Sequence, residues 1–396
     1  MYIRKITEHI AYVGVNDRST TRFEGLWPLP YGVSYNAYLV RGTEKTALID
    51  TVEIGHSREF LNTLKENGVD NLDYLIINHM EPDHSGSIPA VAAAFPDMKI
   101  VGNKKTIEMV KGFHHFDNDD IFLEITDLQE ISLGDCSLRF YMTPMVHWPE
   151  TMMTYCLEDK LIFSGDAFGC FGALNGGLTD DEMDCSLYLN EMYRYYSNIV
   201  GKYGQFVLKA LARIEGVDLE YICSTHGPVW HSRVQEVLDI TRRLASYEGE
   251  EGVTIIYGSM YGNTAEVAEL FAREINKLGV RKICIHNAVN STISQMISDA
   301  FRYKGLVIGS PTYNTEIFPP VAAVVSALAG RGIKNKVVAS FGGFSWASAA
   351  AKKINDSFDA LKLENAGSVN MKHSITPEVE EQVKELAKNF VELLNK

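Results

Sequence analysis

The sequence has no Cys-x-x-Cys pair, no long apolar run and too little basic charge to suit a polyanion. Each absence removes a class of function. The six cysteines, Cys136, Cys156, Cys170, Cys185, Cys223 and Cys284, are scattered. Spaced that way they neither frame a disulfide scaffold nor ligate an appended iron–sulfur or rubredoxin-type module of the usual spacing, and they read as small core residues. Any redox chemistry must then draw its electrons from a separate molecule. No apolar stretch approaches the roughly 18 to 20 residues of a membrane span, and the start, Tyr2-Ile3-Arg4-Lys5-Ile6, lacks the apolar core of a signal peptide. The expected location is the cytoplasm, with no membrane partner. Acidic residues outnumber basic ones 51 to 37, a net charge of −14. Nucleic acid is a poor partner for such a chain, because affinity for a phosphate backbone comes largely from Lys and Arg. A length of 396 residues is enough for two domains with a core each.

What is present begins with His79-Met80-Glu81-Pro82-Asp83-His84. Two imidazoles and two carboxylates follow directly on the apolar run Leu72 to Ile77, which reads as a buried strand. A solvated loop could hold such residues by chance. Charges at the end of a buried strand need partners, however, and a divalent metal satisfies imidazole nitrogen and carboxylate oxygen together. Three further strand-like runs repeat the pattern: Leu138 to Pro144 leads to His147, Lys160 to Gly165 to Asp166, and Leu219 to Thr225 to His226. Loops at one end of a sheet converge in space, so these deliveries imply one site of three or four histidines and three carboxylates, enough for two metal ions.

The remaining histidines, His9, His56, His114, His115, His231, His286 and His373, follow no such pattern and are expected to be structural or solvated. The stretch Ser186 to Tyr203 reads as one long helix, and either Tyr195 or Tyr196 could reach the pocket as a hydrogen-bond donor behind the metal ligands. Short strands, hairpins and two helices in the first 100 residues suggest a mixed sandwich of sheets with helices outside.

The segment Tyr247 to Gly252, charged and glycine-flanked, reads as a linker. Beyond it strands and helices alternate regularly from Val253 to Ala360, the pattern of a doubly wound parallel sheet with its ligand at the carboxyl ends of the strands. The first turn, Ser259, Met260, Tyr261, Gly262, Asn263 and Thr264, offers hydroxyls and N–H groups at a helix N-terminus, an anion cradle needing no lysine. Two later strand ends supply Pro311, Thr312, Tyr313, Asn314 and Thr315, and then Phe341, Gly342, Gly343, Phe344 and Trp346. Glycines admit a flat ligand and aromatic faces stack on it, which suits FMN better than NAD because no dinucleotide fingerprint with its acidic ribose partner is present.

Together these residues make the chain similar to the flavodiiron proteins, the A-type flavoprotein family, over its whole length. The resemblance implies a metallo-β-lactamase-like αββα sandwich over residues 1–250, followed by a flavodoxin-like domain over 253–396. Hydrolases of the first fold usually carry His-x-His-x-Asp-His, and Glu81 stands here where the second histidine would be. A carboxylate there hardens the site and favours iron. The resemblance further implies one iron held by His79, Glu81 and His147 and another by Asp83, His84 and His226, with Asp166 bridging and Asp50 structural. Many relatives place a histidine where this chain has Phe23-Glu24-Gly25. Implied too are FMN, two non-haem irons, reduction of O2 to water or NO to N2O, a rubredoxin-like donor and a head-to-tail homodimer or dimer of dimers. A dizinc hydrolase fused to a flavodoxin module, or a non-catalytic redox carrier or sensor, are the rival readings.

Overall fold

The computed structural model describes residues 3–396, which form two compact units. The first comprises the residues up to Tyr196 with Tyr203–Arg242, and the second Ser197–Lys202 with Arg243–Lys396.

In the first unit a seven-stranded mixed sheet faces a five-stranded one. The larger sheet runs in the order Arg4–Lys5, Ile10–Tyr12, Tyr38–Arg41, Thr46–Ile49, Tyr74–Ile76, Lys99–Gly102, Phe122–Glu124. The smaller runs Glu130–Ser132, Ser137–Met142, Met152–Cys156, Leu161–Gly165, Tyr221–Ser224. Residues two apart on each strand (Tyr38 and Val40, Ala47 and Ile49, Leu138 and Phe140, Leu161 and Phe163) share one buried core, as the period of a strand requires. Leu39, Leu48, Leu75 and Ile100 on the opposite face are also buried. Amphipathic helices such as Ser57–Glu66, which buries Phe60 and Leu64, belong to the same unit. This is the expected sandwich with helices.

Strand direction explains where the ligand-type residues go. Ser137–Met142 and Leu161–Gly165 are each antiparallel to Met152–Cys156, and Leu161–Gly165 is parallel to Tyr221–Ser224. All three therefore end at one edge of their sheet, just before His147, Asp166 and His226. In the facing sheet Thr46–Ile49 and Tyr74–Ile76 are parallel and end together, before Asp50 and His79.

The helix expected from Ser186 to Tyr203 is interrupted. An α-helix covers Ser186–Tyr195, a π-helical turn Tyr196–Val200 and a 3-10 turn Gly201–Tyr203. The cause is visible in the hydrogen bonds: the Arg331 guanidinium donates to the carbonyls of Ser197 (2.9 Å) and Asn198 (3.1 Å), diverting them from the helical ladder.

The second unit is a parallel sheet in the order Ile283–Asn287, Glu250–Tyr257, Tyr303–Tyr313, Val337–Phe344, Glu364–Lys372. That is the flavodoxin-type order, with one strand exchange placing a crevice at the carboxyl ends. The helices Asn263–Lys277 and Pro377–Leu394 share its apolar core, Phe271 meeting Phe390 edge to face at 5.6 Å. The segment read as a linker is partly strand, because Glu250 is held by Arg302 at 3.2 Å and Arg243 at 3.5 Å. Among the described residues no helix is long and apolar enough to cross a membrane.

Candidate metal centre and cofactor cleft

Asp50 anchors the loop that carries the first motif. Its buried carboxylate accepts the Asn78 N–H at 2.8 Å and lies 3.4 Å from the His79 N–H, and burial raises its pKa to about 6 against the opposing charges of His84 and His79. Pro82 then opens a one-turn helix, Pro82–Ser85, with Glu81 at its N-cap. After Tyr221–Ser224 the turn closes at Gly227, whose φ of +82° and lack of a Cβ are both required: a Cβ there would lie 2.2 Å from Cys170 Sγ.

The seven residues singled out by the spacing meet in two groups. His79 Nε2 lies 3.4 Å from Glu81 Oε2 and 3.3 Å from Asp166 Oδ2, and His147 Nε2 lies 3.0 and 3.1 Å from the same two oxygens. In the second group His84 Nε2 is 3.4 Å from Asp83 Oδ2 and 3.0 Å from Asp166 Oδ1, while His226 Nε2 is 3.2 and 3.8 Å from them. Asp166 thus turns one oxygen to each group. Separations of 3.0 to 3.4 Å are the edges of an octahedron or tetrahedron whose metal–ligand bonds are about 2.1 Å.

Two observations test whether metal ions fit. His79 Nε2, His84 Nε2, His226 Nε2 and both Asp83 carboxylate oxygens are buried without a hydrogen-bond partner among the described residues, and they point at the same centres. For two of the four histidines the ring nitrogen on the far side is held as ligand histidines require: His79 Nδ1–H donates to Glu150 Oε1 (2.8 Å), and His226 Nδ1–H to the Ser34 carbonyl (2.7 Å). In the metal-free protein, burial pushes His84 and His147 down, but Asp83, Asp166 and Glu81 outweigh it and hold both at about 9. Burial opposes ionisation of Asp166, yet the surrounding imidazoles keep its carboxyl well below the usual range. A divalent cation would replace these protons and meet every group in its ligating form.

Glu150 was not among the expected site residues. It is buried, accepts the Met80 N–H (2.9 Å) as well as His79, and its carboxyl is lowered, the bond to His79 overcoming burial. Three residues beyond His147, it carries no periodic signal that would single it out. Glu24 is the second addition. Its Oε2 accepts the Trp27 indole N–H at 2.9 Å, and burial together with the charge of Glu81 lifts it to about 7. The acid thus lies where a histidine was expected in the family. Phe23 and Tyr195 set their rings 5.3 and 5.4 Å from that of His226, and Phe171 packs against Tyr195 at 4.9 Å. Among the described residues the buried Tyr195 phenol has no hydrogen-bond partner, and burial and the charges of Asp166, Glu81 and Asp83 raise it well above the ordinary value. Tyr196, the next residue, is buried at the start of the π-helical turn. Trp148 covers His79 edge to face at 5.3 Å.

In the second unit a cleft of about 320 Å³ opens at the carboxyl ends of the strands. Of the expected residues, Ser259, Met260, Tyr261, Asn263, Thr264, Pro311, Thr312, Tyr313, Asn314, Thr315, Gly343, Phe344 and Trp346 line it. Gly262 serves behind the wall: at φ +97° it caps the helix Asn263–Lys277, and its N–H is received by Ser259 Oγ at 3.0 Å. Phe341 does not form a wall. It is buried core, its ring filling the space a side chain at Gly309 would need, and Gly342 also lies outside the lining. Ser345, Ala347, Met371 and His373 complete the lining, so His373 is not merely solvated. Among the described residues neither lysine nor arginine lines the cleft, which leaves neutral N–H and O–H groups to receive a phosphate. Tyr261 and Trp346 stand about nine-tenths exposed at its mouth.

Residues 33–227 match the family model for ODP family beta lactamase and residues 255–387 the flavodoxin model. The chain is 32% identical over 384 residues to an anaerobic nitric oxide reductase flavorubredoxin of Salmonella typhi, covering 95% of this chain and 78% of that protein. Among solved structures it is similar to rubredoxin oxygen:oxidoreductase from Desulfovibrio gigas, with a TM-score of 0.94 and 28% identity, covering 99% of this chain and 98% of that one. The flavodiiron protein of Giardia intestinalis gives a TM-score of 0.93 at 26% identity, with the same coverage of both chains. With both halves of the chain matched in order, the protein belongs to the flavodiiron family.

Proposed function

We propose that this protein is a flavodiiron reductase that takes electrons at FMN and delivers them to a non-haem diiron centre, where NO is reduced to N2O or O2 to water. The observation that carries this reading is the pair of ligand sets joined through the two oxygens of Asp166. His79, Glu81 and His147 would hold one iron and Asp83, His84 and His226 the other, with Asp166 offering one oxygen to each set. FMN would be held in the cleft between Ser259–Thr264, Pro311–Thr315 and Gly343–Trp346. When bound, two ferrous ions supply two electrons and reduced FMN two more, which matches the four that O2 needs, while two NO need only two.

The protein's own groups do the rest. Glu150 fixes His79 with Nε2 toward the metal position. Glu81 in place of an imidazole adds negative charge and favours a harder, more oxidised ion. Phe23, Phe171 and Tyr195 wall the second ligand set and limit water. Both reactions consume protons, and the Glu24 carboxyl, held near neutrality beside Glu81, can carry one at its Oε atoms.

The donor we propose is a small rubredoxin-like carrier. The active form would be a head-to-tail homodimer in which the FMN of one chain faces the irons of another, and its compartment the cytoplasm. The decisive experiment is anaerobic stopped-flow mixing of the iron-loaded, FMN-reduced protein with NO and with O2. Fast flavin oxidation coupled to N2O, or to water without peroxide, is expected. Slow, uncoupled oxidation releasing peroxide would leave a carrier, and zinc with ester hydrolysis a hydrolase.

A further inference from the structure

A second cluster of ligating groups lies away from the diiron residues, where three chain segments of the first unit meet. His9 precedes the strand Ile10–Tyr12, Asp135 and Cys136 form the tip of the hairpin between Glu130–Ser132 and Ser137–Met142, and Asp159 lies in the turn after Met152–Cys156. Nitrogen of His9, oxygen of Asp135 and sulfur of Cys136 all lie within 4.8 Å of one another.

The orientation of the imidazole is what distinguishes this cluster from a chance ion pair. His9 Nδ1–H donates to Asp159 Oδ2 at 2.7 Å, which leaves Nε2 turned toward Asp135, 3.5 Å from its Oδ2. Metal-bound histidines show the same arrangement, one ring nitrogen held by a carboxylate and the other free to ligate. Asp159 is itself mostly buried and also accepts the Cys156 S–H at 3.3 Å, so its position is fixed. Asp135 is fixed from the other side, its Oδ1 accepting the Thr43 N–H at 2.7 Å. Cys136 is fully buried, while Asp135 is half exposed and opens the cluster to solvent.

We propose that His9, Asp135 and Cys136 form a binding site for one zinc ion per chain, with a fourth position left to water. Imidazole, carboxylate and thiolate together suit zinc, whereas the all-nitrogen-and-oxygen set around Asp166 suits iron. Tetrahedral bonds of about 2.0 Å to nitrogen and oxygen and 2.3 Å to sulfur span ligand separations of roughly 3.3 to 3.6 Å. The His9–Asp135 spacing already has that value. The ion would tie the N-terminal strand to the hairpin tip of the second sheet.

The test uses the protein loaded with iron and FMN, mixed with one equivalent of Zn2+, desalted, and measured for both metals and for zinc-edge X-ray absorption. About one zinc per chain, a sulfur neighbour near 2.3 Å and an unchanged iron content are expected. Cys136→Ser should lose the sulfur neighbour and retain at least tenfold less zinc. Asp159→Asn, which leaves all three ligands in place, should weaken zinc binding 10- to 100-fold. Zinc that is not retained, that has no sulfur neighbour, that displaces iron, or that binds Cys136→Ser as well as the unaltered protein would overturn the proposal.

Discussion

Replacing Glu150 by Gln tests whether the metal centre depends on a residue that never touches the metal. The carboxylate accepts two hydrogen bonds, from His79 Nδ1–H at 2.8 Å and from the Met80 N–H at 2.9 Å, and it is buried. Glutamine has nearly the same shape and keeps one carbonyl oxygen for these donors, so the loop should hold its course while the charge is lost. A hydrogen bond to a charged group contributes about 1.5 to 3 kcal/mol. Loss of a carboxylate behind a ligating histidine typically costs 10- to 100-fold in metal affinity, or about 1.4 to 2.7 kcal/mol. The two figures agree, and they set the expectation for one iron position. The assay is anaerobic competition for Fe2+ against a coloured chelator, with FMN content as control. One of the two irons should be released at 10- to 100-fold lower chelator concentration while FMN stays bound. Two irons held within threefold of the unaltered protein would refute the role given to Glu150.

Glu24→Gln should keep both irons and FMN yet lower turnover with NO or O2 by about 100-fold, the usual scale for a lost proton donor; undiminished turnover would remove Glu24 from the chemistry. Because His84 and His147 in the metal-free protein stand at about 9, above their ordinary 6.5, protons compete with the metal. Divalent metal affinity, followed by calorimetry, should therefore rise steadily from pH 7 to 9. The same pairs stabilise the metal-free fold fully below about pH 6.5, and that share is lost as pH rises through 9. The melting temperature of the metal-free protein should accordingly fall over this interval. Trp346→Ala should weaken FMN binding about 3- to 10-fold in a fluorescence titration, since a stacked ring pair contributes about 0.5 to 1.5 kcal/mol; unchanged affinity would mean the exposed indole does not stack on the flavin.

The candidate metal-binding residues were legible in the sequence because they lie in the loops that follow apolar strands, and the strand directions fix a common edge. Four residues of the six-residue motif need no long-range information beyond that. Glu150 and Glu24 were not legible as site residues, since an acid in a loop has no periodicity and its neighbours are set by tertiary packing. Phe341 was misassigned for the related reason that an aromatic after a strand can turn to the core or to the cleft, and the space left by Gly309 decides between them. The strand Glu364–Lys372 carries little signal in the sequence because it buries only Val369 and Met371 among polar residues. Nothing local to Ser186–Tyr203 reveals its interruption, which is caused by Arg331, more than 100 residues away.

In the proposed centre one bridged pair of irons sits on His79, Glu81, Asp83, His84, His147, Asp166 and His226. Mössbauer spectroscopy of protein reconstituted with ⁵⁷Fe, with iron counted per chain, tests it most directly. Two irons per chain, magnetically coupled in the oxidised protein and uncoupled or reduced to one in Asp166→Asn, are predicted. A single iron, or two that show no coupling in the unaltered protein, would contradict it.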